Sequence, residues 1–472
     1  MSTLLNPVDA AWFYVEQDHA PAHFGPLMIL TPPAHAPASY VTDLVEQWRQ
    51  CRTFAPPFNL QLVRRPLPAW KSLTDEEIDL NYHLRHVALP VPGGERELGI
   101  LISELHSHPL NLQRPLWEAY VIEGLAQGRF AIFLKFHHGQ LDGVGAARQI
   151  AGMLSVDPQT ADLGPPWLPG SSERAPSSPA AAAGAPDSTS LPGLRQAAAV
   201  LRTARATASA AQRLAMMTLS ARLDSASPLV GPYQAPHTIL NNRISGYRRF
   251  ATQHYELAKF KSIAHTAGVT VNDVFLSITG DALRRYLSEL DALPEQTIIG
   301  QIPVNIRPQD DAGNVGNALT FMYARLHTDI ADPLERLTAV SASVKAGKSL
   351  QESLPADQVG PFTMLLLGPH ITEMILRLGG YLATSHNLII SNVPGPRDRM
   401  YLNGCRVEQI YGPSVLFHGQ ALNITMSSYA GGVDISYTAC RESVPHVQKL
   451  AVYTGEALDA LETILKTQQR GV

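Results

Sequence analysis

Two spacings of apolar residues alternate along this chain. Short apolar runs predict strands, and segments with apolar residues every three or four positions predict helices. Strands are predicted at 25–30, 119–125, 129–136, 247–257, 297–306, 387–391, 421–429 and 433–440, and helices at 40–51, 194–223, 272–290, 334–350, 362–383 and 444–465. Hairpins are expected at Gly128 and at Ala430–Gly432, where glycines can adopt positive φ. The pattern predicts an α/β architecture with mixed sheets.

The apolar periodicity is lost between 157 and 193, where Pro, Ala, Ser and Gly dominate. Such a stretch is typical of a linker. Because 472 residues exceed one ordinary core, we predict an N-terminal domain at 1–156 and a C-terminal domain at 194–472.

The helix predicted directly after the linker has only positive charges until Asp224. Its predicted apolar face comprises Leu201, Ala204, Ala208, Ala215 and Leu219. Two interpretations stay open: a helix that bridges the domains with a solvated basic side, or a patch attracted to anionic lipid.

Composition narrows the function classes. A net charge of -4 gives no electrostatic footprint for nucleic acid, so no nucleic-acid partner is expected. The three cysteines are far apart, which predicts neither a disulfide framework nor a zinc site. No secretory signal is apparent, and the most apolar segment, 362–383, contains charged residues and reads as a buried or interfacial helix. We therefore expect a cytoplasmic protein.

The segment His137–Gly143, at the end of the predicted strand, carries the strongest chemical signal. Successive strand side chains point to opposite faces, so the two histidines have different roles. His138 is in phase with the apolar positions of the strand, where a neutral imidazole is favoured. A neutral, desolvated histidine can accept the proton of an alcohol that attacks a thioester. His137 is in phase with Phe133 and Lys135 and is expected to support the turn.

Asp142 lies between Gly139 and Gly143, in a turn that can fold its carboxylate back beneath the strand. The spacing of His137 and Asp142 also suits a glycerol-phosphate acyltransferase, but no phosphate-binding glycine-arginine segment accompanies it. A serine hydrolase is disfavoured because the chain has no G-x-S-x-G elbow.

Further segments accompany the histidine motif: Leu5-Asn6-Pro7, Arg114-Pro115-Leu116-Trp117-Glu118, Thr270-Val271-Asn272-Asp273-Val274, Pro303-Val304-Asn305-Ile306-Arg307 and Ile390-Ser391-Asn392-Val393-Pro394-Gly395-Pro396. Together they resemble the bacterial wax ester synthase/diacylglycerol acyltransferase family over nearly the whole chain except the linker. The histidine motif alone also occurs in other coenzyme A-dependent acyltransferases and in peptide-synthetase condensation domains.

The resemblance implies two chloramphenicol acetyltransferase-like domains, joined by the linker and meeting around a channel that contains His138. It implies transfer of a long-chain acyl group from acyl-CoA to a fatty alcohol or a diacylglycerol, without a metal or redox cofactor. Apolar substrates and the basic helix suggest peripheral contact with the inner membrane or with lipid inclusions. The sequence predicts no oligomeric state.

Residue by residue, the resemblance makes His138 the general base, with His137 beside it and Gly143 closing the motif. Asp142 becomes a structural residue whose expected ion-pair partner is Arg307. Asn272 has two open roles: an N-cap of the following helix, or a contact to the thioester carbonyl or its oxyanion.

Other conspicuous residues receive simpler expectations. Trp12 and Trp117 are expected in the core, and Glu16 is expected on a solvated helix surface. Asn392 and the prolines after it are expected to shape a tight turn. His106 and His108 would share a strand face if extended, but no third metal ligand is apparent.

Two alternatives to the acyl-CoA enzyme stay open. One is a condensation-type acyltransferase with a carrier-bound acyl donor, since the histidine motif does not distinguish the donors. The other is a lipid-inclusion binding protein without turnover, against which the intact set of His138, Asp142 and Arg307 argues.

Overall fold

The computed structural model describes residues 2–64, 67–169, 192–223, 227–305 and 319–470. The strands are β1 (Ser2–Leu4), β2 (His23–Phe24), β3 (Leu27–Thr31), β4 (Leu60–Val63), β5 (Ala69–Ser72), β6 (Leu84–Ala88), β7 (Trp117–Leu125), β8 (Arg129–His137), β9 (Arg248–Glu256), β10 (Ile299–Asn305), β11 (Leu319–Arg325), β12 (Leu388–Pro394), β13 (Tyr401–Leu402), β14 (Cys405–Tyr411), β15 (Leu422–Tyr429) and β16 (Gly432–Cys440). The helices are α1 (Pro7–Val15), α2 (Tyr40–Gln50), α3 (Leu80–His83), α4 (Glu95–Ser107), α5 (Gly143–Met153), α6 (Pro192–Leu223), α7 (Leu257–Ala267), α8 (Val271–Glu289), α9 (Pro333–Glu352), α10 (Ala356–Ile375) and α11 (Val447–Arg470).

The chain forms two compact units that are discontinuous in sequence. The first unit combines 1–176 with 243–259 and 391–455, and the second combines 177–242 with 260–390 and 456–472. The predicted fold class, mixed α/β with two domains, is confirmed. The predicted limits, 1–156 and 194–472, follow the linker. The first unit, however, also contains 243–259 and 391–455, which lie after the linker.

The main sheet of the first unit has β8 at its centre. The strand order is β13-β14-β3-β8-β7-β6, and β2 pairs with the end of β8. Most neighbours are antiparallel, whereas β6 and β7 run parallel. Both faces of β8 are buried, because Ile132 and Leu134 enter one apolar cluster and Ala131 and Phe133 another. The sheet therefore holds the end of β8 rigidly.

Several predicted strands pair as expected, whereas β1, β5 and β4 form a separate three-stranded sheet that was not predicted. In the first unit, β15 and β16 form the hairpin predicted across Ala430–Gly432, and β9 pairs antiparallel with β16. In the second unit, β10 pairs antiparallel with β11 and parallel with the start of β12. The hairpin of β7 and β8, near Gly128, is also confirmed.

Part of the predicted linker is packed. Trp167 is fully buried in the same cluster as Trp48 and Trp117, and its Nε1 donates to the carbonyl oxygen of Cys51 at 2.8 Å. Leu163 and Trp167 therefore belong to the core of the first unit, whereas 157–159, 161 and 162 are exposed. Residues 170–191 lie outside the described part of the chain.

The predicted apolar face of α6 is wrong. The buried positions in its described part are Ala206, Ala210, Met217 and Ala221. Ala204, Ala208, Ala215 and Leu219 face solvent instead. Small buried residues allow α10 to pack closely on this helix, through Phe362 and Leu366.

The expectation for 362–383 is confirmed only in part, since α10 ends at Ile375. His106 lies in α4 and not in a strand, so the proposed shared strand face with His108 is also wrong.

Candidate active site

The end of β8 is fixed by backbone pairing on the side of β2. His23 pairs with His137 and Phe24 with Phe136. One residue further, the backbone N–H of His138 donates to the carbonyl oxygen of Ala22 at 2.8 Å. The two histidines therefore emerge from a strand end whose position is determined by the sheet.

His138 lies among aromatic rings. Its ring stacks on Trp12 with 3.9 Å between centroids and 16° between planes, and the ring of Phe24 lies at 4.7 Å. Its Nδ1 is enclosed without a partner in hydrogen-bonding geometry among the described residues. Burial lowers the pKa of His138 from 6.5 to about 4, against a smaller opposite effect of its own carbonyl group. The ring is therefore neutral at neutral pH, as its apolar phase in the strand predicts.

His137 is fully buried, and polar groups face both nitrogens of its ring. Its Nδ1 accepts a hydrogen bond from the backbone N–H of Gly139 at 3.0 Å. The proton of a neutral ring therefore lies on Nε2, which is 3.3 Å from Oε2 of Glu16. The bond to Gly139 lies within the turn, and the supporting role of His137 there stays a prediction.

Glu16 is not the solvated helix residue that the sequence suggested. It follows the last residue of α1 as its C-cap, and its side chain is only 8% exposed because it faces His137. The expectation for Trp12 is also wrong, since its ring covers His138 and the residue is only half-buried. Trp117, in contrast, is a core residue as predicted, and its Nε1 donates to the carbonyl oxygen of Phe58 at 2.8 Å.

Gly139 allows α1 to pack directly on the histidine turn. A Cβ atom at this position would lie 2.7 Å from the ring of Phe13 and 2.9 Å from the carbonyl oxygen of Asp9. The ring of Phe13 in turn stacks on His137, with 4.4 Å between centroids. Any larger residue at Gly139 would push α1 away from the histidines.

Asp142 caps the helix that follows the motif. Its Oδ1 accepts from the backbone N–H of Gly145 at 2.7 Å, at the N-terminus of α5. Its carboxylate thus turns toward the helix and not back beneath the strand. Gly143 has no positive φ and open space around its Cβ position. Arg307 lies outside the described residues, so its ion pair with Asp142 stays a prediction.

Asn272 lies in the second unit, at the second position of α8. Thr270 is the N-cap of this helix, since its Oγ1 accepts from the N–H of Asp273 at 3.2 Å. The carboxylate of Asp273 accepts in return from the N–H of Thr270 at 2.9 Å. This capping box satisfies the helix start without Asn272. The N-cap role for Asn272 is therefore wrong, and its role at the carbonyl stays a prediction.

A buried ion pair supports the face of β8 that carries His137. Nζ of Lys135 lies 3.6 Å from Glu118 and donates to the backbone oxygens of Leu105, at 2.9 Å, and His108. Tyr120 donates to the same carboxylate at 2.6 Å. Burial lowers the pKa of Lys135 to about 8, although Glu118 partly opposes the shift. Sequence analysis missed this pair; the lysine inside an apolar run was the available signal.

The segment after Asn392 is extended for longer than predicted. Strand β12 runs through Pro394, and the N–H of Gly395 donates to the carbonyl oxygen of Ser428 at 2.8 Å. A Cβ at Gly395 would lie 2.6 Å from that oxygen. The chain bends only at 397–398.

The described residues form neither a metal-binding cluster nor a membrane-spanning helix. No group of three or more His, Cys, Asp or Glu side chains in this part of the chain is arranged to hold a metal ion. Among the same residues, none of the helices combines the length and hydropathy required to cross a membrane.

Comparisons with known proteins give a consistent result. Residues 5–275 match the wax ester synthase/diacylglycerol acyltransferase catalytic domain, and residues 315–462 match the C-terminal domain of the same family. A putative diacylglycerol O-acyltransferase of Mycobacterium tuberculosis is 40% identical over 97% of this chain and 96% of its own length. The O-acyltransferase WSD of Acinetobacter baylyi is 35% identical, with 98% of each chain covered.

Solved structures agree with these matches. The wax ester synthase/diacylglycerol acyltransferase from Marinobacter aquaeolei superposes with a TM-score of 0.78 at 32% identity, covering 98% of this chain and all of the other. The trichothecene 15-O-acetyltransferase of Fusarium sporotrichioides shares the fold at 12% identity, with a TM-score of 0.60 and coverage of 98% and 95%.

Proposed function

Since the chain belongs to the wax ester synthase/diacylglycerol acyltransferase family, we propose that it acylates the hydroxyl of a fatty alcohol or a diacylglycerol with His138 as general base. The chain is an O-acyltransferase, and acyl-CoA is its donor. The products are a wax ester or a triacylglycerol, together with free coenzyme A.

The protonation state of His138 supports its assignment as the general base. A general base must be unprotonated at the working pH, and burial lowers the pKa of this ring to about 4. Because Nδ1 is enclosed, Nε2 is the nitrogen that can meet a bound alcohol. His137 is already engaged with Gly139 and Glu16 and is unsuited to this task.

His138 alone accepts and returns the proton in the proposed reaction. Nε2 of His138 accepts the hydroxyl proton while the alcohol oxygen attacks the thioester carbonyl, which gives a tetrahedral oxyanion. The oxyanion collapses, the C–S bond breaks, and the imidazolium returns the proton to the leaving thiolate. No electron transfer occurs and no Lewis acid is needed, so we propose a reaction without metal or redox cofactor.

Two further residues have proposed roles. Asn272, which matches the asparagine of the family's N-D motif, donates to the thioester carbonyl oxygen and its oxyanion. Asp142 and Arg307 maintain the turn after His138, and the cap that Asp142 provides to α5 is one part of that role.

Acceptor-dependent synthesis tests the function. Purified protein is mixed with palmitoyl-CoA and either hexadecanol or dioleoylglycerol, while free thiol is measured and the lipid product is identified. We expect ester formation with at least one acceptor, absent in His138→Ala and retained in His108→Ala, an exposed histidine of the same unit. Folded protein that forms no ester with either acceptor would contradict the proposal and favour a carrier-bound donor or a lipid-binding role.

We also propose that the protein is cytoplasmic and binds reversibly to the membrane or to lipid inclusions. The second unit exposes apolar residues at and after the end of α10: Ile375, Leu376, Leu378, Tyr381 and Leu382. Helix α6, which packs on α10, exposes Arg205 and Arg222 and has no acidic residue. Exposed apolar residues and exposed arginines on two helices that pack together suit an anionic lipid surface.

Vesicle flotation tests this association. We expect the protein to float with phosphatidylglycerol vesicles at low salt, and less with phosphatidylcholine vesicles. The double variant Leu376→Glu/Leu382→Glu should lose binding, whereas Val156→Glu, at an exposed position of the first unit, should retain it. Recovery of the parent entirely in the soluble fraction would defeat the proposal.

A further inference from the structure

We infer that the end of helix α1 positions the catalytic histidine, with Glu16 and Trp12 as positioning residues. The inference rests on the proposed role of His138 as base. Glu16 acts on the backbone that carries the two histidines, and Trp12 acts on the His138 ring itself. Neither residue needs to touch the substrate for this role.

The two carboxylate oxygens of Glu16 face different parts of the same turn. Oε2 lies 3.3 Å from Nε2 of His137, whose Nδ1 accepts the N–H of Gly139. Oε1 accepts from the N–H of Ala22 at 3.5 Å, and the carbonyl oxygen of Ala22 holds the N–H of His138 at 2.8 Å. One carboxylate therefore contacts both His137, the neighbour of His138 in the strand, and Ala22, whose carbonyl oxygen accepts from the N–H of His138.

Glu16 is itself held in place by α1. Its backbone N–H donates to the carbonyl oxygen of Trp12 at 3.1 Å, so it is anchored to the last helical turn. The start of the helix is fixed by Asn6, whose side chain accepts from the N–H of Asp9 at 2.8 Å. Gly139 lets the helix approach the turn closely. This connected packing limits the movement of the carboxylate.

Trp12 has the complementary task of fixing the ring plane of His138. The ring of His138 interacts with its own carbonyl group, and its orientation is further restricted by its contacts with Trp12 and Phe24. A nearly parallel stack restricts rotation of the imidazole, which determines where Nε2 points. An error of 1 Å in the position of a catalytic group can cost about a hundredfold in rate.

Variants of Glu16 test the first half of the inference. We expect Glu16→Ala to lower kcat by about tenfold or more, as expected when a catalytic group is misplaced, with KM for palmitoyl-CoA within about twofold. Glu16→Gln keeps one oxygen acceptor and should recover most of the loss. Tyr14→Ala, at a residue of the same helix that is 59% exposed, should leave kcat unchanged.

Variants of Trp12 test the second half. Trp12→Phe retains an aromatic face and should keep kcat within about threefold, whereas Trp12→Leu should reduce it by about tenfold or more. In each variant the acid limb of the pH profile should keep its midpoint while the plateau falls. A merely structural role would instead lower the folded fraction in proportion to activity, so thermal unfolding is measured on the same samples.

Three outcomes would overturn the inference. The first is a parental kcat in both Glu16→Ala and Trp12→Leu. The second is an activity loss that equals the loss of folded protein. The third is an acid limb of the Glu16→Ala pH profile that is displaced by a full pH unit, because Glu16 would then act through its charge. Activity retained in His138→Ala would refute the proposed base itself. Loss in His138→Ala without loss in the α1 variants would refute only this inference.

Discussion

The two sides of the histidine turn differ in kind, although they belong to neighbouring residues of one motif. On one side His137 is fully buried against the ring of Phe13, and both its ring nitrogens face specific polar atoms. On the other side His138 lies between the rings of Trp12 and Phe24, and its enclosed Nδ1 has no partner in hydrogen-bonding geometry among the described residues. Alternation along a strand thus gives two neighbouring histidines different surroundings, and the proposed base is the one that lies between Trp12 and Phe24.

Replacement of each histidine should separate activity from stability. We expect His138→Ala to reduce acceptor-dependent ester formation by at least about 100-fold, since general bases contribute factors of this size. We expect His137→Ala to lower the free energy of unfolding by about 3 kcal/mol, because Oε2 of the buried Glu16 carboxylate loses its neighbour. Denaturant unfolding and initial rates measured on both variants check this contrast. Equal stability losses in the two variants would break it.

The pH dependence of activity should reflect the aromatic side of the turn. Because the pKa of His138 is lowered to about 4, we expect kcat/KM to stay nearly constant from pH 8 to about 5.5 and to fall as pH decreases toward about 4. A solvated histidine would instead give a limb near 6.5.

The folded fraction must be measured in the same buffers. Burial also lowers the pKa of His83 to about 4 and that of His106 to about 3. Unfolded histidines bind protons more readily than these buried ones, so stability is lost as pH falls from about 6.5 toward these values. A limb near 6.5 in fully folded protein would contradict the assignment of a desolvated base.

The smallest effect is expected at the end of the motif. Asp142→Ala removes the N-cap of α5 and should cost about 1 kcal/mol of stability, whereas Asp142→Asn keeps an acceptor and should cost a few tenths. Urea unfolding of both variants distinguishes them. If Asp142→Asn is as destabilised as Asp142→Ala, the charge matters more than the cap, as an ion pair with Arg307 would require.

Two helix starts illustrate how far local patterns determine a role. Asp142 precedes α5 and caps it, so local structure accounts for its carboxylate. Asn272 also lies near a helix start, but Thr270 and Asp273 already make the cap. From sequence alone only Asn272 was a candidate for capping, whereas Asp142 was expected to fold its carboxylate back beneath the strand. Only the register of the α8 start, set by the Thr270 cap, removed that explanation from Asn272.

The buried face of a helix was less predictable where similar residues lie on all sides of it. Helix α6 carries alanines around its whole circumference, so hydrophobic spacing did not identify the face that packs. The structure buries Ala206 and Ala210, while Ala204 and Ala208 are exposed. Close packing with α10 determines which face of α6 is buried. This partner lies more than 100 residues away in the chain, so local spacing does not reveal the face.

The sequence by itself predicted the elements with the strongest apolar spacing, the strand that carries the histidines and the opposite orientations of His137 and His138. These features follow from local spacing and from the alternation of side chains along a strand. Tertiary structure decided which residues surround that pair. Glu16 and Trp12 precede the histidines by more than 120 residues, and only the packing of α1 against Gly139 brings them into contact. Contacts between distant segments depend on the geometry of the folded core, which local patterns do not encode.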